Sequence, residues 1–263
     1  MIEWEQVGEV VELRLAHAPL NEIGRAMVTD LERFLDEMDR LRPRAVVVYS
    51  GQARGFCAGA DLRQLYAEIR DRGATAYRDE LAGFLNRVHG VMDRFDCLPC
   101  TTVGAIHGVC FGGGFELALT LDILVADATA RFCFPELRLG LIPGFGGIPR
   151  LRREVPNAVV RDLILTGRSV GAKKAAALGL ISQAVAKGEA LNVAREVARQ
   201  ASLFEAAVVR EAKSFMKPVP VAELADERAR FLKLFMSPIV VEALRRFVES
   251  DDAMPYLPPE PRS

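Results

Sequence analysis

The chain has 263 residues, a length that suits one large domain or a domain with an appendage. Half of the residues are apolar, so a sizeable core can form, and the formal net charge of −1 gives no field that favours nucleic acid. No run of about 18 apolar residues predicts a membrane span. Residues 1–5 lack the basic and apolar regions of a signal peptide, and the odd number of cysteines, five, favours a reduced, cytoplasmic protein.

Strands and helices alternate through the first part of the chain. Two strands around Gly8 and Glu9 predict a hairpin, and the apolar segment 45–49 is typical of a strand inside a sheet that is covered on both faces. Apolar residues recur at helical spacing between Met27 and Leu41. The predicted elements are strands at 2–7, 10–15, 45–49 and 101–106, helices at 27–41 and through most of 62–95 with an interruption at Gly73, and a loop at 50–61.

Helices dominate the second part of the chain. The predicted elements are short extended segments at 123–126, 132–136 and 181–185, a glycine-rich loop at 140–147, helices at about 155–165, 172–178, 190–200, 203–216, 221–235 and 238–248, and a proline-rich end at 254–263. Strand–helix alternation followed by helices predicts an α/β fold, with a core at 1–200 and a helical region at 201–263. The long apolar helices within 221–248 lead us to expect packing on another subunit.

The stretch 105–122 carries the strongest chemical signal. An apolar strand enters a turn at Gly108, three glycines follow at 112–114, and a segment with helical character contains Glu116. Glycine lets a backbone come close to a ligand, and the first N–H groups of a helix have no partner and lie at its positive end. Such a place suits a phosphate, a carboxylate or a developing oxyanion, and Glu116 beside it predicts acid–base chemistry.

Plainer interpretations of this stretch stay open on the residues alone. The glycines do not form the dinucleotide pattern GxGxxG or the phosphate loop GxxxxGK[ST], and they could serve only close packing of a helix on a strand. A glutamate such as Glu116 or Glu136 is most often a solvated or paired surface residue. The cysteines and histidines form no zinc or hydrolase pattern, so we interpret the pair Cys97 and Cys100 as buried or half-buried thiols and His107 as structural. The arginine-rich stretches at 40–44 and 150–153 are interpreted as solvated faces.

Three glycine-rich motifs stand in order along the chain. They are Phe-Cys-Ala-Gly-Ala-Asp-Leu at 56–62, Ile-His-Gly-Val-Cys-Phe-Gly-Gly-Gly-Phe-Glu at 106–116, and Pro-Glu-Leu-Arg-Leu-Gly-Leu-Ile-Pro-Gly-Phe-Gly-Gly at 135–147. Together they resemble the crotonase superfamily and, within it, the enoyl-CoA hydratases. The resemblance implies a crotonase fold, a ββα spiral core with a helical C-terminal trimerisation region, assembled as a homotrimer or a dimer of trimers.

The resemblance also implies roles for single residues. The backbone N–H groups of Ala60 and Gly113 would form an oxyanion hole for a thioester carbonyl. Glu116 and Glu136 would be the catalytic pair, because adding water across a C=C bond needs a base for the water and an acid for the carbon. Gly144 would position the water or the acyl group. Further substrate-binding residues implied are Arg54, Ala58, Asp61, Leu62, Gly112 and Phe134.

Departures from the family pattern leave the substrate open. Phe134 stands where many hydratases have glutamine, and the stretch 247–252 is acidic where hydratases have lysines that meet CoA phosphates. A carrier-protein thioester is therefore an alternative to an acyl-CoA, although Arg54 could contact a CoA phosphate. No metal or redox cofactor is implied, since coenzyme A would enter as part of the substrate, and neither nucleic acid nor a membrane is an expected partner.

The sequence thus favours an enzyme of fatty acid metabolism that hydrates a 2-enoyl-CoA to a 3-hydroxyacyl-CoA, or catalyses the reverse. A Δ3,Δ2-enoyl-CoA isomerase, which needs only Glu136, is one alternative. A dehydratase or decarboxylase acting on carrier-bound acyl groups is another. A third alternative, from another class, is a non-catalytic oligomeric scaffold.

Overall fold

The computed structural model describes residues 1–250, except for the side chain of Ala74. The predicted proline-rich end at 254–263 lies outside the described residues, as does part of the acidic stretch at 247–252. Within residues 1–250, no helix combines the length and the apolar composition that crossing a membrane requires.

Two sheets and a set of helices make up the fold. The strands are β1 Ile2–Val7, β2 Val10–Leu15, β3 Ala45–Ser50, β4 Gly55–Cys57, β5 Thr101–Ile106, β6 Val109–Phe111, β7 Ile123–Asp127, β8 Arg131–Cys133, β9 Val170–Gly171 and β10 Gln183–Val185. The helices are α1 Arg25–Leu41, α2 Leu62–Arg72, α3 Ala74–Asp96, α4 Gly113–Ala118, α5 Gly147–Glu154, α6 Asn157–Thr166, α7 Ala172–Ala177, α8 Ala190–Ala201, α9 Ala206–Met216, α10 Val221–Phe235 and α11 Pro238–Glu249, with a 3₁₀ turn at Glu136–Leu139.

The larger sheet has six strands in the order β1-β2-β3-β5-β7-β10. The hairpin β1–β2 is antiparallel and every other pairing is parallel. Parallel strands in the middle of such a sheet are apolar on both faces because helices cover both. One face of β3, β5 and β7 packs on the alanine stripe of α8, and the other faces the main core with α1 and α3. The prediction of a sheet covered on both faces is confirmed.

The smaller sheet has four strands in the order β4-β6-β8-β9. Along the chain, β4, β6 and β8 each follow a strand of the larger sheet, and the glycine-rich motifs lie at these short strands. Sequence analysis did not predict β4 or β6, because three residues are too few to show an alternating pattern. The segment at 132–136, predicted as extended, ends as a strand at Cys133, and Glu136 begins the 3₁₀ turn. These short strands fix where each glycine-rich loop begins.

Helix α5 was also absent from the prediction, which placed a loop up to residue 147 and a helix from 155. It begins directly at Gly147, and its sequence mixes Pro149 with several arginines, so apolar periodicity is weak. Its position matters because its first turn borders the predicted site.

The C-terminal helices return over the site. Helix α11 contacts α2 and the 3₁₀ turn, and α10 contacts α5 and α3. Phe231, Phe235 and Leu244 are buried in the same apolar cluster as the residues of the sheet core. Helix α9 is different, since its side chains are exposed apart from the half-buried Val209 and the buried Lys213, which pairs with Asp122. The mixed α/β architecture matches the predicted crotonase fold.

Candidate active site

A small cavity of about 70 Å³ lies where the three glycine-rich loops meet the C-terminal helices. A single water needs roughly 10–15 Å³, so the cavity is large enough for a few waters. Its lining consists of Ala58, Gly59, Ala60, Leu62, Leu65, Gly112, Glu116, Pro135, Glu136, Leu139, Leu141, Gly144, Phe145, Phe231, Phe235 and Leu244. Both predicted glutamates therefore face one mostly apolar space, as do most of the other predicted site residues.

Glu116 occupies the first turn of α4 and is 2% exposed. Its Oε1 accepts hydrogen bonds from the backbone N–H groups of Phe145 and Gly147, both at 2.8 Å. Burial raises the pKa of Glu116 to about 7, although the two N–H groups and the nearby guanidinium of Arg150 favour the charged form. Glu116 is therefore oriented by the loop backbone and exchanges a proton near neutral pH.

Glu136 is held differently. Its Oε2 is buried and has no hydrogen-bond partner among the described residues. Burial, followed by repulsion from Glu116, raises the pKa of Glu136 well above that of an ordinary glutamate. The side chain lies against Gly112, where a Cβ would come within 2.6 Å of Oε1 and where φ is +48°, so only glycine fits. Two neighbouring carboxyl groups with different pKa values can divide the roles of acid and base.

The backbone N–H groups of Ala60 and Gly113 come close to each other. A Cβ built on Gly113 would lie 3.3 Å from the nitrogen of Ala60, and one on Gly59 would lie 3.2 Å from the nitrogen of Gly113. Within the described part of the chain, neither N–H donates a hydrogen bond. Gly113 is the first residue of α4, so its N–H lies at the positive end of that helix.

The third glycine-rich loop is fixed through its carbonyl groups. His89 donates from Nε2 to the carbonyl of Gly144 at 2.8 Å, and burial lowers the pKa of this histidine, which keeps the ring neutral. Arg150 donates from Nη1 to the carbonyl of Phe145 at 3.1 Å. The backbone that holds Glu116 is therefore anchored to helices α3 and α5.

Arg150 corrects one sequence-based interpretation. The stretch 150–153 was interpreted as a solvated face, yet the side chain of Arg150 is 0% exposed. Its guanidinium pairs with Asp93 at 2.6 Å and with Asp96 at 2.8 Å. Because both partners lie more than 50 positions away in the sequence, local patterning did not indicate the burial. Cys97 also differs from its interpretation, since it is exposed, whereas Cys100 is buried.

Glu227 is a third buried carboxylate that sequence analysis missed. It lies on α10, is 4% exposed, and accepts hydrogen bonds from the backbone N–H groups of Gly146 at 3.2 Å and Ile148 at 3.1 Å. Leu224 and Phe231 occupy the same face of this helix. In the sequence, the helical spacing of Glu227 from these two apolar residues was the signal that could have indicated its burial.

Four predicted site residues lie outside the cavity lining. Gly113 contributes its N–H from the start of α4, as described above. Arg54 is exposed before β4, and Asp61 caps α2 by accepting the N–H of Gln64 at 2.9 Å. Phe134 is buried in the core, where its ring stacks on Phe115 with centroids 4.6 Å apart. Substrate binding by Arg54, Asp61 and Phe134 stays a prediction.

The fold and this arrangement define a crotonase-type protein, and comparison with known proteins identifies its family. Residues 5–254 match the enoyl-CoA hydratase/isomerase family. The chain therefore belongs to that family, and with it to the enzymes of the enoyl-CoA hydratase/isomerase type.

Individual relatives agree with this assignment. The chain is 35% identical over 234 residues to a probable enoyl-CoA hydratase of Rhizobium meliloti (strain 1021), covering 87% of each protein. It is 32% identical over 251 residues to the carnitinyl-CoA dehydratase of Proteus mirabilis (strain HI4320), covering 94% of this chain and 90% of that protein. A crystal structure described as a putative enoyl-CoA hydratase from Streptomyces coelicolor A3(2) superimposes with a TM-score of 0.75 at 29% identity, covering 90% of this chain and 86% of that one.

Proposed function

We propose that this protein hydrates a 2-enoyl thioester to the 3-hydroxyacyl thioester, and catalyses the reverse dehydration. The observation that carries the proposal is the pair Glu116 and Glu136, two buried carboxyl groups with raised pKa values that line one cavity. Family membership supports a thioester substrate. The related hydratase and dehydratase names agree with the two directions of one reaction.

The free N–H groups of Ala60 and Gly113 suit the thioester carbonyl. When a nucleophile adds to the β-carbon, negative charge moves onto the carbonyl oxygen and the thioester becomes an enolate. Two preorganised N–H donors at the start of a helix stabilise that charge. Removing one such donor in other enzymes costs about 10²–10³ in rate.

The two glutamates then divide the proton transfers. Ionised Glu116, with a pKa of about 7, takes a proton from water as the water oxygen bonds to C3. Protonated Glu136 delivers a proton to C2 as the enolate collapses and the carbonyl re-forms. The product is the 3-hydroxyacyl thioester, and one proton passes from Glu116 to Glu136 to restore the starting states.

The test is hydration of crotonyl-CoA, followed by loss of the enoyl-thioester absorbance. We expect the wild type to turn over, and Glu116→Ala and Glu136→Ala each to lose about 10²–10⁴ in kcat. Glu223→Ala is the control, because that exposed residue of α10 pairs with Arg152 at the surface. Loss of turnover in Glu136→Ala alone would instead favour the isomerase.

Other substrates remain part of the same test. Should crotonyl-CoA be inert, longer or branched enoyl-CoA esters and carrier-protein thioesters follow. A wild type that processes none of these thioesters contradicts the proposed function and favours the non-catalytic scaffold.

We also propose that copies of the chain assemble as the resemblance implies, as a trimer or a dimer of trimers, and that α9 and its neighbouring segments form the interface. Large exposed apolar side chains cluster along this part of the chain, namely Leu203, Phe204, Val208, Phe215, Met216 and Val221. Exposed apolar surface of this kind typically marks an interface between proteins.

A further inference from the structure

Helix α10 turns one of its carboxylates towards the protein interior. Its other acidic residues, Glu223 and Asp226, are exposed and pair with arginines at the surface. Glu227 is buried between Leu224 and Phe231. Burying a carboxylate is unfavourable by several kcal/mol unless the group gains good partners, so the partners of Glu227 indicate its role.

Those partners are the same backbone segment that holds Glu116. Along residues 145–148, the N–H groups of Phe145 and Gly147 go to Glu116, and those of Gly146 and Ile148 go to Glu227. Four consecutive N–H groups at the start of α5 are thus shared alternately between two carboxylates from two helices. A helix start carries about half a positive charge, and here two acceptors divide it.

The other charged groups around residues 145–148 do not remove the competition between Glu116 and Glu227 for these N–H groups. Arg150 is a nearby cation, and its guanidinium is already paired with Asp93 and Asp96. Burial, followed by repulsion from Glu116, raises the pKa of Glu227 well above that of an ordinary glutamate. The titratable and charged groups around the segment are Glu116 on α4, Glu136 on the 3₁₀ turn, Arg150 on α5, His89, Asp93 and Asp96 on α3, and Glu227 and Arg228 on α10.

We propose that Glu227 is a positioning residue that acts through Glu116: it holds residues 145–148 from α10 and shares with Glu116 the N–H groups at the start of α5. This inference rests on the proposed function, in which Glu116 is the base. Two consequences follow. The loop backbone stays aimed at Glu116, and Glu116 receives less stabilisation of its charged form than it would alone.

The sharing of these N–H groups predicts in which direction the pKa of Glu116 changes when Glu227 is replaced. Without an acceptor at position 227, the positive end of α5 acts on Glu116 alone, and the charged form of Glu116 becomes more favourable. The pKa of Glu116 then falls, and the acid limb of kcat/KM against pH moves to lower pH. A weaker base also lowers kcat at neutral pH, since proton transfer becomes less favourable.

The experiment compares Glu227→Gln, which keeps one acceptor oxygen, with Glu227→Leu, which keeps none at similar volume. We expect the acid limb for crotonyl-CoA hydration to move down by about one pH unit in Glu227→Leu and by less in Glu227→Gln. The matched control is Glu223→Gln, which makes the same side-chain substitution at the surface of the same helix and is expected to keep the wild-type limb. A merely structural role of Glu227 would lower the amount of folded enzyme without moving the limb.

An infrared titration measures the pKa of Glu116 without requiring turnover. The carboxyl band that disappears in Glu116→Gln reports the protonation of Glu116 directly, in the wild type and in each Glu227 variant. A band that titrates at the wild-type pH in both Glu227 variants overturns the inference. Should Glu227→Leu fail to fold, Glu227→Gln decides alone. A wild type without thioester turnover contradicts the proposed function, whereas the infrared shift still decides the role of Glu227.

Discussion

At the scale of single residues, the cavity combines two ways of burying a carboxylate. Glu116 has both of its hydrogen bonds on Oε1, whereas Oε2 of Glu136 has no partner in the described part of the chain. An unpartnered buried oxygen is costly for folding, so its presence beside a cavity favours a role in binding or catalysis. The protein retains a site that is less stable than an apolar core of the same shape would be.

The pH dependence of the unfolding free energy tests how unfavourable the burial of charged Glu116 is. Its pKa is raised from 4.5 to about 7, so its contribution to stability is fully present below about pH 4.5 and is lost as the pH rises through about 7. In Glu116→Gln the amide oxygen can accept both N–H groups without ionising. We expect the variant to gain about 2 kcal/mol in unfolding free energy relative to wild type between pH 5 and pH 8.

Urea unfolding of both proteins at several pH values provides the measurement. Because every other titratable group is present in both proteins, their difference reports the titration of Glu116 together with its coupling to Glu136 and Glu227. A difference that stays constant from pH 5 to pH 8 would mean that the pKa of Glu116 is not raised.

At the scale of elements, the start of α5 is tightly constrained. Gly146 has φ +100°, and a Cβ there would overlap the guanidinium of Arg150 and come within 2.7 Å of Leu224. Left-handed backbone angles cost a non-glycine residue about 1–2 kcal/mol, and displacing a buried ion pair costs more. Glycine at this position is therefore required by both the backbone and its neighbours.

Alanine substitutions separate these two effects. Gly188 has a similar φ of +85° with nothing near its missing Cβ, so Gly188→Ala shows the backbone cost by itself. We expect Gly188→Ala to lower the unfolding free energy by about 1 kcal/mol and Gly146→Ala by about 3 kcal/mol or more. Equal losses in urea unfolding would show that Arg150 moves aside without cost.

The elements differ in how well the sequence predicts them. The hairpin and α10 were predicted with their observed bounds, because their apolar patterns run for several residues. Strands of three residues and a helix that begins at a glycine show no such pattern. In the site, the motifs indicated Glu116 and Glu136, whereas Glu227 meets its partners about 80 positions away and no local pattern marks that contact.

At the scale of the whole molecule, the chain closes its own cavity. Phe231, Phe235 and Leu244 of the two C-terminal helices line the space beside the glutamates. These helices pack on the core of their own chain, and the expectation that they also pack on another subunit stays a prediction. Helix α9 carries large exposed apolar side chains, and its Phe215 is 89% exposed.

Assembly through α9 is measurable by light scattering on the purified protein. We expect the wild type to run as a trimer or a dimer of trimers, and Phe215→Ser to dissociate it. Leu165→Ser is the control, because Leu165 is an exposed apolar residue on another helix, α6. A monomeric wild type, or an intact oligomer in Phe215→Ser, contradicts the proposed interface.

The central claim is that Glu116 and Glu136 together add water across the double bond. The most direct measurement is mass spectrometry of the product formed from crotonyl-CoA in heavy water enriched in oxygen-18. We expect the wild type to form a 3-hydroxyacyl-CoA with oxygen-18 at C3 and one deuterium at C2, and neither Glu116→Gln nor Glu136→Gln to form it at a comparable rate. Deuterium in the recovered enoyl thioester without oxygen-18, unaffected by Glu116→Gln, would contradict the account and assign proton-shuttle chemistry to Glu136 alone.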